Sequence, residues 1–515
     1  MTRAAMGSRL TVLALLLALA PGPARAQERP ALVVMITVDQ LIPEYLDRFG
    51  ADLTGGFARL AREGTFFTRG MQDHAMTSTA PGHATLWSGR FPARTGIVSN
   101  DLGVPDPDAP LVDGAAGAGA SPRRFQGTAL YDWVAAAHPD ARILSVSRKD
   151  RGAILPVGRA RAPVYWWSAS GRFTTSRYYA DALPDWVRRW NEGVRPGEWT
   201  DRVWSPLLPE SAYPEPDDGA FEPAFPHRVA SVADLADVPW MDSLTLDLAL
   251  TGARELELGR RGVPDLLAVG LSTLDAIGHE YGPDSREVHD HFVRLDRWLG
   301  AFLSALEADV GRGRVLVVLS SDHGVSSLPA VLRARGAAGG RLDLGGVLLS
   351  LPDLDPTTTA GAGLRMQDGL LLADTAALRA RGIDVERLGA RLAALAGGLD
   401  GVARAWTPAT IGAAATDDQA AGRWRRSIPP SYGWLVAVDP KSGWTFETDA
   451  TAHHGTSMDE NVRVPVFFLG AGIPARRIDR EVRTVDVAPT IAALLGLRPT
   501  EPVDGRPLAE VLPGS

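Results

Sequence analysis

The sequence lacks cysteine altogether, since none occurs among its 515 residues. This absence excludes disulfide bonds, thiolate metal ligands and a cysteine nucleophile. Stability must therefore come from the hydrophobic core and from any metal that the chain binds. If a zinc-type ion is bound, histidine and carboxylate side chains have to supply its ligands.

Long apolar runs are also absent beyond the N-terminus, so no membrane-spanning helix is expected after the first residues. The N-terminus carries Arg3 and Arg9, an apolar stretch over residues 10–20, and small residues at Ala24 and Ala26. This order is typical of a secretory signal peptide. We predict a signal peptide over residues 1–26, cleaved after Ala26, and a periplasmic or secreted protein. An uncleaved N-terminal anchor is the alternative.

Positive charge is in deficit, because 61 Asp and Glu residues stand against 53 Lys and Arg, giving a formal net charge of -8. Binding to nucleic acid depends on basic side chains that neutralise phosphates, so nucleic acid is not expected as a partner. A small anionic substrate remains possible, because the local charge of a cleft decides its binding.

Strand-like and helix-like segments alternate along most of the chain. The alternation predicts an α/β fold with a mainly parallel central sheet and helices on both faces. Strands are predicted at residues 32–38, 143–146, 266–271, 315–319, 433–438 and 466–469, the last beginning just after Pro465. Helices are predicted within 45–63, from 79 onwards, and at 242–259, 285–308 and 485–495.

Three segments interrupt this alternation. Residues 101–123 are rich in Gly, Pro, Ala and Asp and are predicted to form an exposed loop. Residues 160–240 are rich in Trp and Tyr, and residues 325–425 are rich in Ala, Gly, Leu and Arg. We interpret the last two as insertions into one domain that covers residues 27–515. The aromatic insertion is either a substrate-binding cap or material that packs onto the core.

Metal-type ligands follow several of the predicted strands. Asp39 follows the first strand, Asp322 and His323 follow the strand at 315–319, and Asp275 comes shortly after another. Open α/β sheets bind their ligands at these carboxyl ends. The sequence therefore predicts that these side chains converge on a metal site.

Two further histidines complete the candidate set. Asp275 and His279 are four residues apart, which places them on one face of a helix. His454 lies near the C-terminus beside His453, and spacing does not decide between them. Six such side chains fit two zinc-type ions, with three protein ligands for each ion. A solvated Asp275 and an unrelated His279 are the alternative for that pair.

Thr79 stands at the start of a predicted helix, followed by Ala80 and Pro81. Proline is favoured in a first helical turn. The N–H groups and dipole at a helix N-terminus favour an anion. Beside a metal ion, a hydroxyl there would have a lowered pKa and would act as a nucleophile. Thr77 and Ser78 are alternatives, and a helix-capping role is open for Thr79.

Other polar residues give weaker signals. His289 and His291 are two apart on a predicted helix and point to different faces, so both are expected to be solvated. His83 is expected to pack or hydrogen-bond near Thr79. The charged run at 148–151 is, on its residues alone, typical of a solvated surface.

Several segments carry these residues in a characteristic order: VDQ at 38–40, TAPGHATLWSG at 79–89, GIVSND at 96–101, KDRGAILP at 149–156, STLDAIGHEYGP at 272–283, SDHG at 321–324, HHGT at 453–456 and DVAPTIAALLG at 486–496. Together they resemble the alkaline phosphatase superfamily over nearly the whole mature chain. Within it, the chain resembles the phosphate-irrepressible bacterial alkaline phosphatases with a threonine nucleophile, which are related to nucleotide pyrophosphatase/phosphodiesterases.

The resemblance implies an alkaline phosphatase-like catalytic domain with two zinc ions. One ion would be held by Asp275, His279 and His454. The other would be held by Asp39, Asp322 and His323, with Thr79 as both ligand and nucleophile. The choice of His454 over His453 rests on this resemblance.

The resemblance also implies how a substrate binds. Asn100, Lys149 and Arg151 would contact phosphoryl oxygens, and two cationic donors match the charge of a phosphate monoester. The implied reaction converts small phosphate monoesters to an alcohol and inorganic phosphate through a phosphothreonine intermediate.

Three other functions compete with this one. A phosphodiesterase or nucleotide pyrophosphatase on the same scaffold is the nearest alternative. A sulfatase is not expected, because the chain has neither cysteine nor a C/S-x-P-x-R nucleophile motif. The third alternative is a metal-binding or carbohydrate-binding protein that has the same fold but no catalytic activity.

Overall fold

The computed structural model describes residue 2 and residues 29–194, 196–215, 225–350, 354, 361–446 and 453–513. The predicted cleavage point at Ala26 lies outside these residues. In the part of the chain that is described, every helix is too short or too polar to cross a membrane.

The strands in chain order are β1 Leu32–Val38, β2 Thr65–Met71, β3 Ile143–Ser147, β4 Val164–Ser168, β5 Arg172–Thr174, β6 Val203–Trp204, β7 His227–Arg228, β8 Asp265–Leu271, β9 Val315–Ser320, β10 Gly340–Arg341, β11 Arg365–Gln367, β12 Leu370–Leu372, β13 Val402–Trp406, β14 Trp434–Pro440, β15 Trp444–Thr445, β16 Arg463–Leu469 and β17 Arg476–Arg483.

The α-helices are α1 Glu44–Arg48, α2 Gly56–Glu63, α3 Thr79–Ser88, α4 Pro92–Thr95, α5 Leu130–Ala137, α6 Asp150–Ile154, α7 Asp185–Val194, α8 Trp240–Glu255, α9 Thr273–Tyr281, α10 Arg286–Val310, α11 Pro329–Ala334, α12 Leu344–Leu349, α13 Thr375–Ala380, α14 Val385–Gly397, α15 Pro408–Ala413, α16 Gln419–Ser427, α17 Asp459–Val462 and α18 Val487–Leu494.

A nine-stranded sheet in the order β17-β2-β16-β9-β1-β8-β3-β4-β5 forms the centre of the fold. Most neighbours are parallel, including β9 with β1, β1 with β8 and β8 with β3. Strand β16 runs antiparallel to β2 and β9, and β5 runs antiparallel to β4. The predicted mainly parallel sheet is confirmed, and β1, β8 and β9 end at the same edge.

Helices cover both faces of this sheet, and the burial of β1 shows why. Leu32, Val34 and Ile36 face the side covered by α2, α8 and α10, whereas Val33 and Met35 face α3, α5 and α18. Alternate residues of a strand point to opposite faces, so both sets are buried. A continuous apolar run is the expected signature of such a strand.

A smaller antiparallel sheet, in the order β11-β12-β14-β13, is separate from the central one. One of its faces packs on α12 and α14. On the other face Leu370, Trp406 and Trp424 pack against Ala75 and Met76, which lie just before α3. The strand predicted at 433–438 exists, but it is β14 of this second sheet, because a short apolar run does not reveal which sheet it joins.

The Trp- and Tyr-rich segment packs against the central sheet. Its first part forms β4 and β5, which extend that sheet. Trp186 and Trp204 are buried in the core that also contains α8 and α10. Its described aromatic side chains thus contribute to packing.

Two local predictions were wrong. Strand β16 begins at Arg463, before Pro465, and its register against β2 shifts at this proline, which has no N–H to donate. Residues 101–123 are irregular but not wholly exposed: Asp106 is buried, accepts a hydrogen bond from Ser121 and pairs with Arg123 at 3.0 Å. Strands β2 and β17 were not predicted.

Candidate active site

Asp39, Asp322 and His323 meet where β1 and β9 end, and we call them the inner ligand group. Parallel pairing of β1 with β9 brings the two strand ends together. His323 Nε2 lies 3.3 Å from Asp39 Oδ1 and 3.9 Å from Asp322 Oδ2. Their ligand atoms lie within 4.8 Å of one another, and all three residues are buried.

Asp275, His279 and His454 form a second cluster, the outer ligand group. Asp275 and His279 lie one turn apart on α9, which follows β8, and His279 Nε2 is 3.2 Å from Asp275 Oδ1. His454 reaches the same oxygen at 3.5 Å from a distant part of the chain. These ligand atoms also lie within 4.8 Å of one another.

Backbone carbonyls orient two of the histidines. His454 Nδ1 donates to Thr77 O at 2.9 Å, and His323 Nδ1 donates to Gly324 O at 3.0 Å. A carbonyl can only accept, so Nδ1 carries a proton in both residues, and Nε2 is the nitrogen left to bind a metal. Such a contact fixes the tautomer of a metal-binding histidine.

The donor sets fit metal ions. Asp39 Oδ1, Asp322 Oδ2 and His323 Nε2 are buried and form no hydrogen bond with any described residue. Buried polar atoms without partners are costly unless they bind something else. Carboxylate oxygens and imidazole nitrogens, three in each group, are the ligands of catalytic zinc sites.

The charge states of these groups also suit metal binding. Burial and the Asp275 carboxylate act to raise the pKa of Asp39, but Lys149 and His323 outweigh them and hold it below its usual range. Burial also acts to raise the pKa of Asp275, but Lys149 and His279 outweigh it and hold this pKa well below its usual range. Burial lowers the pKa of His454 well below its ordinary value. Asp39, Asp275 and His454 are therefore in their metal-binding protonation states at neutral pH.

Burial and the Asp39 carboxylate raise the pKa of Asp322 to about 7. Burial acts to lower the pKa of His323, but the Asp322 and Asp39 carboxylates outweigh it and raise this pKa to about 9. Metal binding at the inner group therefore has to displace protons.

Thr79 is the first residue of α3 and lies next to both groups. Lys149 Nζ is 3.4 Å from Thr79 Oγ1, and the backbone N–H of Ala80 donates to Asn100 Oδ1 at 2.9 Å. Gly82 allows α3 to approach β9, because a Cβ there would lie 2.1 Å from Asp322 O. The sequence around Thr79 thus brings a helix N-terminus against the inner group.

The rival hydroxyls differ in their contacts. Thr77 Oγ1 donates to Thr456 O at 2.8 Å, which ties it to the loop after His454. Ser78 lines the same cleft as Thr79, and its buried Oγ has no hydrogen-bond partner among the described residues. Contact with Lys149 distinguishes Thr79 from both.

Lys149 links the two ligand groups. It follows β3, and its Nζ lies 2.7 Å from Asp39 Oδ2 and 2.6 Å from Asp275 Oδ2. Its side chain is only 10% exposed, so the run at 148–151 is not a simple solvated surface. Arg151 is one of the residues lining the cleft, and Arg148 pairs with Asp237.

A cleft of about 740 Å³ opens over Thr79 and the outer group. The second sheet and its flanking segments contribute a large part of the wall: Asp343, Leu344, Gly345, Met366, Gln367, Asp368 and Phe446. The aromatic segment contributes Asp237, and no described Trp or Tyr is among the lining residues. Spacing alone gave no signal for these wall residues, because their nearness to Thr79 depends on docking of the second sheet.

Among the buried histidines outside the ligand groups are His83, His289 and His291. His289 lies between Asp52 and Glu215 at 3.2 and 3.1 Å, and His291 lies 3.2 Å from Asp242. Their predicted solvation was wrong, since both faces of α10 that carry them are covered. His83 is buried 3.6 Å from Asp322, close to the inner group.

The model of the family described as type I phosphodiesterase / nucleotide pyrophosphatase matches residues 33–453. The chain belongs to this family. The resemblance to the alkaline phosphatase superfamily is thereby confirmed.

Three relatives are similar to the chain along nearly their whole length. Alkaline phosphatase PhoV of Synechococcus elongatus is 29% identical, covering 94% of this chain and 93% of PhoV. Alkaline phosphatase PhoK of Sphingomonas sp is 31% identical, covering 93% of this chain and 90% of PhoK. The crystal structure of alkaline phosphatase PafA gives a TM-score of 0.85 at 26% identity, covering 94% of this chain and 99% of the PafA chain.

Proposed function

We propose that this protein is an exported alkaline phosphatase that hydrolyses small phosphate monoesters through a phosphothreonine intermediate, with two zinc ions. The observation that carries the proposal is that Lys149, which lines the cleft with Thr79, contacts a carboxylate of each ligand group and lies 3.4 Å from Thr79 Oγ1. The proposal is supported by relatives that are named alkaline phosphatases and are similar to this chain over nearly its whole length.

The residues divide into two metal sites in this proposal. One zinc is held by Asp275, His279 and His454. The other is held by Asp39, Asp322 and His323, with Thr79 as a further ligand. When bound, such a pair of ions lowers the pKa of the nucleophile and neutralises charge on the attacking and leaving oxygens.

Thr79 acts as the nucleophile. Its Oγ forms a bond to phosphorus while the bond from phosphorus to the leaving oxygen breaks, and the alcohol departs. Water then cleaves the phosphothreonine and releases inorganic phosphate. A phosphoryl group on Thr79 Oγ would lie within reach of Lys149, which is 3.4 Å from that oxygen. Asn100 accepts from Ala80 with Oδ1, so its Nδ2 can donate to a phosphoryl oxygen.

Lys149 and Arg151 decide the substrate class. A monoester carries two negative charges on its terminal oxygens, and two cationic side chains that line the cleft with Thr79 match them. A diester carries one charge fewer and an additional substituent. The family name nevertheless favours a phosphodiesterase or nucleotide pyrophosphatase as the second candidate.

A substrate panel tests the proposal. An aryl phosphate monoester and a bis-aryl diester are given to the wild type, Thr79→Ala and Lys149→Ala/Arg151→Ala. We expect Thr79→Ala to lose about 10⁴-fold or more in kcat, as removal of a nucleophile does. The double variant should lose far more kcat/KM for the monoester than for the diester. Faster diester cleavage by the wild type would favour the second candidate, and an unchanged rate in Thr79→Ala would exclude Thr79 as nucleophile.

Metal identity is tested by dialysis against a chelator followed by add-back of single metals. Zinc should restore activity best, because both donor sets consist of imidazole and carboxylate. Restoration by calcium or iron alone would refute the zinc assignment. Export is tested by N-terminal sequencing of protein from outside the cytoplasm, which should begin at Gln27.

A further inference from the structure

Gln40 connects the two ligand groups and has no role in the reaction proposed above. It follows Asp39 at the end of β1, the strand that lies between β8 and β9 in the sheet. Its side-chain Nε2 donates to Asp275 Oδ1 at 2.8 Å. Its backbone N–H points to Asp322 Oδ1 at 3.3 Å. One residue therefore contacts a carboxylate of each group.

The backbone of Gln40 is held in an unusual conformation. Its φ is 66°, in the left-handed region that residues other than glycine rarely adopt, and the residue is fully buried. The next N–H, of Leu41, donates to Ser321 Oγ at 2.9 Å, so the turn is fixed to the end of β9. Such strain persists only where the surroundings enforce it, and it is concentrated at functional sites.

Gly278 makes room for the Gln40 side chain. A Cβ at Gly278 would lie 1.9 Å from Gln40 Oε1, so any larger residue would displace the amide. Gly278 precedes His279 on α9. The helix that carries two outer ligands is thus shaped to accept the side chain from β1.

The contact determines how Asp275 is oriented. Asp275 Oδ2 pairs with Lys149 at 2.6 Å, while Oδ1 is near both outer histidines and accepts from Gln40. A hydrogen bond to one oxygen restrains rotation of the carboxylate about its Cβ–Cγ bond. Ligating carboxylates are commonly held in this way, and loss of the partner weakens metal binding.

We propose that Gln40 is a positioning residue that orients Asp275 for the outer metal ion and ties the outer group to the inner one. The inference rests on the two-metal site of the proposed function. It predicts that the side-chain amide of Gln40 affects binding of the outer ion, whereas Gln40 supports the inner ion only through its backbone N–H.

The test uses variants that tolerate a positive φ. Gln40→Gly removes the amide but keeps the backbone N–H and relieves the strain, and Gln40→Asn tolerates the conformation but is too short to reach Asp275. Gln72→Ala is the matched control. Gln72 is also a fully buried glutamine, and it donates to Ser321 O at 3.0 Å without touching a ligand carboxylate.

Zinc binding to the full chain is measured by equilibrium dialysis with a competing chelator, and folding is checked by thermal melting. We expect Gln40→Gly and Gln40→Asn to lower the affinity for the outer ion by about 10- to 100-fold and to leave the affinity for the inner ion unchanged. Gln72→Ala should leave the outer ion unchanged. In a His454→Ala background, which retains only the inner ion, Gln40→Gly should cause no further loss.

Three results would overturn the inference. The first is that folded Gln40→Gly binds both ions with wild-type affinity. The second is that the Gln40 variants lose affinity for the inner ion alone. The third is that Gln72→Ala loses as much affinity for the outer ion as the Gln40 variants do. Wild-type protein that bound no metal would refute the two-metal proposal itself and remove the basis of the inference. Binding of two ions with an unaltered outer site in both Gln40 variants would refute the inference and leave the proposed function standing.

Discussion

The inner and outer ligand groups have similar donors but are built in different ways. The inner side chains lie directly after two neighbouring parallel strands and are at most 1% exposed. In the outer group His279 is 29% exposed, and His454 comes from a segment far along the chain. The inner site is therefore fixed by the sheet itself, whereas the outer site depends on a helix and a docked loop at the cleft.

The largest contrast should appear when one carboxylate in each group is neutralised. Asp322→Asn and Asp275→Asn should each lower kcat/KM by roughly 10³-fold or more, because a lost metal removes several kcal/mol of transition-state stabilisation. Without metal, however, their stabilities should shift in opposite directions. Asp322 is buried beside Asp39, and burial together with this neighbour raises its pKa to about 7. Asp275 instead forms an ion pair with Lys149.

Urea unfolding of the metal-free proteins at pH 8 measures that contrast. Asp322→Asn should gain about 1–3 kcal/mol, because a buried carboxylate near a like charge is removed, and Asp275→Asn should lose a similar amount, because Lys149 loses a partner. Asp374→Asn is the control, since this exposed helix cap keeps its function as asparagine. Shifts of the same sign in both variants would mean that the two groups have equivalent surroundings.

Chelation should separate the groups kinetically. The outer ion is expected to leave roughly tenfold faster, because its ligands line the cleft while the inner ligands are shielded from solvent. Zinc release into a chromophoric chelator would then be biphasic. The fast phase should be missing in His454→Ala, and single-phase release from the wild type would contradict the predicted difference.

The comparison also shows what sequence could and could not predict. Asp39, Asp322 and His323 were predictable because apolar runs that precede them mark strands buried on both faces. In the outer group, spacing paired Asp275 with His279, but His454 needed the family resemblance, because nothing local relates it to α9. The placement of β14, the burial of His291 and the cleft wall around Gln367 depend on which surfaces dock, and periodicity does not contain that information.

Low pH should lower the stability of the folded protein through His74, which is linked to the inner group by Gln72 and Ser321. Burial lowers the pKa of His74 to about 3. Its Nε2 donates to Gln72 Oε1 at 3.3 Å, and Gln72 donates to Ser321 O beside Asp322. The unfolded chain binds a proton at His74 below about pH 6.5, whereas the folded chain does not, so stability falls as pH falls through this range.

Comparison with His74→Asn isolates this effect. The free energy of unfolding of the wild type should fall relative to the variant by up to about 1.4 kcal/mol per pH unit between pH 6.5 and 3, with no pH-dependent difference above 6.5. Denaturant titrations at successive pH values provide the measurement. A difference that stays constant with pH would show that His74 has the same pKa in the folded and the unfolded chain.

The smallest effect is expected at the outer wall of the cleft. Gln367 of the second sheet donates to Asp101 Oδ2 at 3.1 Å, next to Asn100, and this hydrogen bond is exposed. Its loss in Gln367→Ala should raise KM about two- to fivefold for a bulky aryl phosphate and leave kcat unchanged, because an exposed hydrogen bond contributes about 0.5–1 kcal/mol. Glu386→Gln is the control, since Glu386 pairs with Arg379 on the surface of the same insertion and does not line the cleft. A fall in kcat at constant KM would instead mean that the second sheet acts on the chemical step and not on substrate binding alone.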